Sequence, residues 1–173
     1  MSDPVLEEVR SFYDANHEGL ERARRARRYY YGCLERVLAE RIPAGSRVLD
    51  IGCGAGQLLA ALRPSLGVGI DVSARAIAHA RSLHAGAPLY FLEGDGANPA
   101  VLAQAGGAFD AIVMVNVVTH LSDVQAAVEA LHAVSHPRTR LFIYSYSRLW
   151  QPVLRLAEWL KLTPRPAKKS PGN

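Results

Sequence analysis

The chain has 173 residues, 49% of them hydrophobic, with 20 basic and 16 acidic side chains, a formal net charge of +4 and a sequence pI of about 9.3. That length suits one domain, and that apolar content is enough to fill a core. The two cysteines, Cys33 and Cys53, form no Cys-x-x-Cys pair, which argues against a disulfide scaffold or a zinc site, and no apolar run nears the roughly 20 residues needed to cross a bilayer.

The first ten residues are acidic and polar and lack the apolar centre of a signal peptide. The expected location is therefore cytoplasmic. Val5 to Glu40 reads as helical, broken near Asn16–Gly19 and ended by Pro43 and Gly45. Within it Arg22, Arg24, Arg25, Arg27 and Arg28 form a basic cluster that suits phosphates, an anionic membrane surface or plain solvation.

Arg47 to Ile51 is a short apolar run leading into glycines, a strand followed by a tight turn. Gln57 to Leu62 is helical up to Pro64, and Leu66 to Ile70 is a second strand. Ser73 can cap a helix running to about His84. Leu89 to Leu92 is a third strand, Ala97 to Ala105 a short helix or loop, and Phe109 to Val115 a fourth strand. Ser122 and Gln125 have capping-box spacing before a helix reaching Val134, and Leu141 to Ser145 is a fifth strand. Trp150 to Leu162 has helical apolar spacing, and the proline- and lysine-rich end reads as disordered.

Alternating strands and helices predict an α/β fold with a doubly wound, mostly parallel sheet covered on both faces. The chain divides into a helical cap (1–45), an α/β core (46–146), an amphipathic helix (147–163) and a tail (164–173). In such sheets ligands bind beyond the carboxyl ends of the strands. Four polar residues, Asp50, Asp71, Asp95 and Asn116, follow four successive strands at gaps of 21, 24 and 21 residues. They should line one rim.

The first turn carries Gly52, Gly54 and Gly56. Glycines allow a sharp turn and a close ligand approach. A dinucleotide fingerprint in this register needs glycine at position 57, which is Gln57. A carboxylate two residues before Gly52 suits an ammonium group, not a pyrophosphate. Asp71 is placed for ribose hydroxyls, and Asp95 with Gly96 for an adenine edge. An amino acid, a ribose and an adenine in that order describe S-adenosylmethionine.

The segments 48–57, 67–71, 93–95 and 109–116 together resemble the class I, Rossmann-like S-adenosylmethionine-dependent methyltransferases over roughly residues 46–137. The resemblance implies strand order 3-2-1-4-5. It implies that Asp50, Gly52, Cys53, Gly54 and Gly56 hold the methionine part, Asp71 with Val72 the ribose, Asp95 with Gly96 the adenine, and Asn116 with Val117 the edge near the sulfonium. That family's sheet normally continues with a helix and a further strand pair, which this chain is too short to supply. Either the sequence is then a fragment, or strand five is an edge covered by a partner chain or a second copy. Residues 147–162 are also similar to bacterial methyltransferases associated with glycosyltransferases, which points to a small-molecule or glycan-like acceptor.

His120, four residues past Asn116, is the candidate general base. The other five histidines need no special role, and no metal site is expected. Tyr13 and one tyrosine of 29–31, taken as Tyr30, are candidate acceptor contacts. The helix at 147–162 allows peripheral membrane contact or a partner groove. No base-stacking module argues for nucleic acid. The alternative function is a truncated, non-catalytic cofactor-binding or partner-binding module.

Overall fold

The computed structural model describes residues 4–145. The amphipathic segment and tail expected at 147–173 lie outside the described residues. The first two elements are helices, α1 (Pro4–Ala26) and α2 (Arg28–Ala39). They are followed by β1 (Arg47–Ile51), α3 (Gln57–Ala61), β2 (Leu66–Asp71), α4 (Ala74–Leu83), β3 (Leu89–Glu93), α5 (Pro99–Ala103), β4 (Phe109–Val115), α6 (Val124–Ala130) and β5 (Ser135–Tyr144). Short 3-10 turns cover Val118–His120 and Leu131–Val134.

The five strands form one parallel sheet in the order β3-β2-β1-β4-β5. This is the expected Rossmann-like order. Each central strand alternates between two cores. Val48, Ala111 and Val113 face α2, α3 and α4 with Leu34, Leu59 and Ile77, whereas Leu49, Ile51, Ile70 and Ile112 face the other side with Leu102, Leu131 and Val134. Burial on both faces is why these strands read as continuously apolar.

Three boundaries differ from the sequence reading. The first helix runs unbroken through Asn16–Gly19 and breaks instead at Arg27. The Asn16 amide donates back to Phe12 O at 2.8 Å, so it is satisfied within the helix. Second, α6 is capped by Asp123, whose carboxylate accepts from Ala126 N at 2.9 Å, not by Ser122. Gln125 bonds Glu129 instead of closing a capping box. Third, β5 begins at Ser135, six residues early, with a register shift opposite Phe109 and Ala111. Thr139 Oγ1 accepts from His136 N and donates to Phe109 O, so Pro137 sits in the irregularity where no ladder donor is needed.

β5 is one edge of the described sheet. Leu141, Ile143 and Tyr144 on it are 39%, 50% and 36% exposed. No helix among the described residues is long and apolar enough to cross a membrane.

Candidate active site

The carboxyl ends of β1, β2 and β4, and the loop after β3, converge on a cavity of about 320 Å³. Asp50, Gly52, Cys53, Gly54, Asp71, Val72, Asp95, Gly96, Asn116 and Val117 all line it. Gly56 does not. Its φ of +75° makes the turn into α3, and a Cβ there would meet the Phe91 ring at 2.6 Å. Gly52 has φ +72° and faces the Val117 side chain, so any larger residue there collides. Gly54, at φ +54°, has open space where a Cβ would stand.

Asp50 is 2% exposed, and its carboxylate takes no hydrogen bond from the described residues. Burial, then the charge of Asp71, pushes its pKa up to about 8, opposed by Arg24. A buried carboxylate beside another acid is a site waiting for a cation. Asp71 accepts from Gly54 N at 2.8 Å and from Ser73 N at 2.9 Å. Burial nevertheless raises its pKa, with Asp14 adding to the rise and His17 opposing it. A carboxylate has about four acceptor positions, so Asp71 keeps capacity for hydroxyl donors. Asp95 uses Oδ1 to hold Ala97 N at 2.9 Å. The Cys53 thiol is pushed well up by burial and by both aspartates, so it remains protonated and is no nucleophile.

Asn116 follows β4 in the left-handed region, φ 58°, with its N–H donating to Tyr144 O at 2.7 Å. Its buried Oδ1 has no partner among the described residues. A non-glycine residue held there with an orphaned acceptor is a strained, ligand-ready position.

The roof of the cavity is α1. Tyr13, His17, Leu20 and Arg24 follow one another at helical spacing and all line the cavity. No residue of α1 is buried in the core. Polar contacts hold it instead. Asp14 accepts from Ser73 Oγ at 2.6 Å and from Arg75 N at 3.2 Å. His17 Nε2 lies 3.1 Å from His79 Nδ1, Gln57 donates to Glu21 at 2.9 Å, and Tyr13 Oη lies 3.1 Å from His120 Nε2.

The Tyr13–His120 pair joins two side chains 107 positions apart. Burial lowers the His120 pKa, so the imidazole is neutral at neutral pH. Burial, then Asp71 and Tyr31, raises that of Tyr13. Tyr30 is not part of the lining. The break at Arg27 sets the phase of α2 so that Tyr31 faces the cavity, while Tyr30 packs edge-on against Tyr31 with ring centroids 5.0 Å apart. Arg24 lies over the Tyr31 ring, 4.1 Å from its centre, and pairs with Glu35 at 2.8 Å. Sequence reading singles out none of Asp14, His17, Ser73 (as a site residue) and Glu35, whereas Tyr31 is one of the three candidates at 29–31. The i, i+4, i+7, i+11 stripe of α1 is the signal that would have found His17 and Arg24.

Three further histidines stand apart from the lining. His84 reaches Ala55 O at 3.0 Å, His136 pairs with Asp110 at 3.2 Å, and His132 is exposed. No cluster of three or more potential metal ligands exists among the described residues.

Comparison with known proteins agrees with this geometry. Residues 22–169 match the sequence profile of a family described as a methyltransferase domain. A ubiquinone biosynthesis O-methyltransferase from Xanthomonas axonopodis pv. citri is 33% identical over 120 residues, covering 66% of this chain and 49% of the relative. One of the same name from Brucella ovis is 35% identical over 107 residues, covering 60% and 42%. The chain thus spans about half the length of the curated relatives it matches. Among solved structures, S-adenosylmethionine-bound CalS10 from Micromonospora echinaspora, an amino pentose methyltransferase, is 28% identical with a TM-score of 0.63, covering 74% of this chain and 56% of that one. A TehB-like methyltransferase from Corynebacterium glutamicum shares the fold at a TM-score of 0.58 and 22% identity, covering 84% and 83%. With its strand order, its glycine turn and a profile match over most of its length, the chain belongs to the methyltransferase domain family.

Proposed function

We propose that this chain is an S-adenosylmethionine-dependent methyltransferase acting on a small-molecule or glycan-like acceptor. The observation that carries the reading is Asp50, a buried, unpartnered carboxylate facing the same cavity as Asp71 and Asp95. Asp50 accepts the ammonium of the methionine part, and Arg24, the cation that opposes its pKa rise, faces the carboxylate. Asp71 holds the ribose hydroxyls, with Val72 beside them. Asp95 takes the exocyclic amine of adenine while the Gly96 N–H meets a ring nitrogen. Asn116 and Val117 border the sulfonium, and Gly52, Cys53 and Gly54 shape the floor.

When bound, S-adenosylmethionine supplies an electrophilic methyl group on a sulfonium. The protein's main contribution is to hold the acceptor atom in line with that group, which lowers the barrier through orientation. An acceptor hydroxyl must also lose its proton. Neutral His120 takes it at Nδ1, which is free when Nε2–H donates to Tyr13 Oη, and that 3.1 Å hydrogen bond holds the imidazole in position. Tyr31 and Tyr13 offer ring faces to an acceptor. The curated relatives are named for O-methylation in ubiquinone biosynthesis and CalS10 for methylation of an amino pentose, which supports a small acceptor.

A second reading has its own observation. Among the described residues the edge of β5 is exposed, which favours a non-catalytic cofactor-binding or partner-binding module whose edge another chain or copy covers. Calorimetric titration of the purified chain with S-adenosylmethionine and S-adenosylhomocysteine tests what both readings share; no binding to folded protein sinks both. Turnover to S-adenosylhomocysteine with candidate acceptors then separates them. Asp71→Ala should weaken binding by about 1–3 kcal/mol, the cost of losing a charged hydrogen-bond partner. An unchanged affinity would remove the ribose assignment.

A further inference from the structure

Residues 22–41 contain seven arginines and two glutamates, a charge of +5. The whole chain carries +4, so everything outside this segment sums to −1. The protein's positive charge is therefore a local feature of the end of α1 and of α2. Two of its arginines are used internally. Arg24 pairs with Glu35 and stacks on Tyr31, and Arg27 lines the cavity. Arg22, Arg25, Arg28 and Arg36 are exposed, and their side chains form no hydrogen bond or ion pair among the described residues.

The same outward face exposes apolar groups. Tyr29 is 84% exposed, the most exposed large apolar side chain of the described residues, and Val37 is 51% exposed. They share α2 with Leu34 and Leu38, whose side chains enter the core, so the helix has one face in the protein and an outer one of arginines, an aromatic and an aliphatic residue. Tyr29 and Val37 give this face apolar contacts as well as charge to offer a partner. A nucleic-acid site would want a basic groove with several stacking rings, whereas here one strongly exposed ring, Tyr29, stands among the arginines. Arginines around protruding apolar tips fit the head-group layer of a bilayer.

We propose that the outer face of α1–α2, centred on Arg22, Arg25, Arg28 and Tyr29, docks on an anionic lipid membrane. The neighbouring residues Arg24 and Arg27 line the cavity, so docking here would bring the bilayer next to residues of the binding site. That purpose rests on the methyltransferase reading and narrows the acceptor to one displayed at, or partitioned into, a membrane surface. The docking itself does not need turnover.

The test is co-sedimentation of the full 173-residue chain with vesicles of phosphatidylglycerol and phosphatidylcholine, against pure phosphatidylcholine. Each arginine near an anionic bilayer strengthens partitioning by about fivefold, and salt screens the attraction. Expected are binding to the anionic vesicles alone, loss of binding in 0.5 M salt, and weakening by about a hundredfold in the triple variant R22Q/R25Q/R28Q. The matching R22K/R25K/R28K should retain binding, and Y29A should weaken it severalfold. Affinity for S-adenosylhomocysteine, measured on every variant, reports folding and keeps the two readings apart. Vesicle binding without nucleoside binding would leave the surface standing and remove the methyltransferase reading. Nucleoside binding with no vesicle binding, or with equal binding to neutral vesicles, overturns the docking surface. So does a duplex or single-stranded oligonucleotide that binds more tightly than the vesicles and loses its affinity in the triple variant.

Discussion

Two regions enclose the cavity, and different forces hold them. The floor is the glycine turn and the strand ends, fixed by a sheet whose central strands are buried on both faces. The roof is α1, which buries none of its residues and is held by polar contacts to the loops and helices beneath it. Apolar burial is cooperative and keeps strand ends in fixed positions. Exposed hydrogen bonds contribute about 1 kcal/mol each and break one at a time. The difference separates a binding floor fixed by the core from a roof whose contacts can break locally.

Substitutions in the floor's support should therefore unfold the whole protein. Ile112 is 1% exposed in β4, beside Leu49 and Leu102. Ile112→Ala should cost about 2–5 kcal/mol through lost burial and a residual cavity. Chemical denaturation monitored by circular dichroism checks it. A loss below 1 kcal/mol would mean that this core is not what fixes the strand ends.

Asp50 separates binding from stability within the floor. Asp50→Asn removes the ammonium partner and should weaken S-adenosylhomocysteine binding by about a hundredfold, near 2.7 kcal/mol. The unliganded protein should respond in the opposite sense. The folded-state pKa of Asp50, about 8, lies above its unfolded value. Its protonation favours the fold fully below about pH 4, and that contribution is lost as pH rises through about 8. The variant should accordingly be more stable than the parent at pH 8.5, the two converging towards acid. Cofactor affinity of the parent should rise with pH by up to tenfold per unit below 8, because binding must displace the Asp50 proton. A flat profile between pH 6.5 and 7.5 would show that Asp50 is already ionised.

The contrast between floor and roof also explains what could be read from sequence. The strands were legible because strands buried on both faces are continuously apolar, their order only through the resemblance to a known family, and Asp50, Asp71 and Asp95 were legible as cavity residues because they recur at strand ends. Position in the roof depends on contacts between distant residues. Nothing local says that Arg27, not Gly19, breaks the helix, and that one phase decides whether Tyr30 or Tyr31 faces the cavity. Gly56 fell outside the lining because Phe91, 35 residues on, packs against it. The early start of β5 depends on Thr139 reaching Phe109. Local patterns report local preferences, and these features are set by partners far along the chain.

Tyr13→Phe acts at the junction of the two regions. It deletes the hydrogen bond to His120 but keeps the ring in the lining, edge-on to the imidazole at a centroid distance of 5.7 Å. Binding of S-adenosylhomocysteine should change by less than twofold. Turnover should fall by about tenfold, chiefly in kcat, with a shifted pH profile for an acceptor that must lose a proton. An equal loss in binding and turnover would instead make Tyr13 one more structural contact.

The smallest expected effect is in the latch. Asp14 accepts two hydrogen bonds at the start of α4, and the Ser73 hydroxyl and Arg75 N–H hold its pKa below the usual carboxylate range. Such a group adds stability above its unfolded pKa, near 4, that is lost as pH falls through the lower folded value. The latch is thus ionised and closed at neutral pH. Asp14→Ala should cost about 1 kcal/mol. Because α1 buries no residue, that cost should appear as local opening. Amides of residues 4–26 should exchange several times faster, while those of β1 and β4 keep their protection and the unfolding midpoint barely moves. If instead the midpoint falls with the exchange rates of β1 and β4, roof and floor unfold as one unit, and the division of forces between them is wrong.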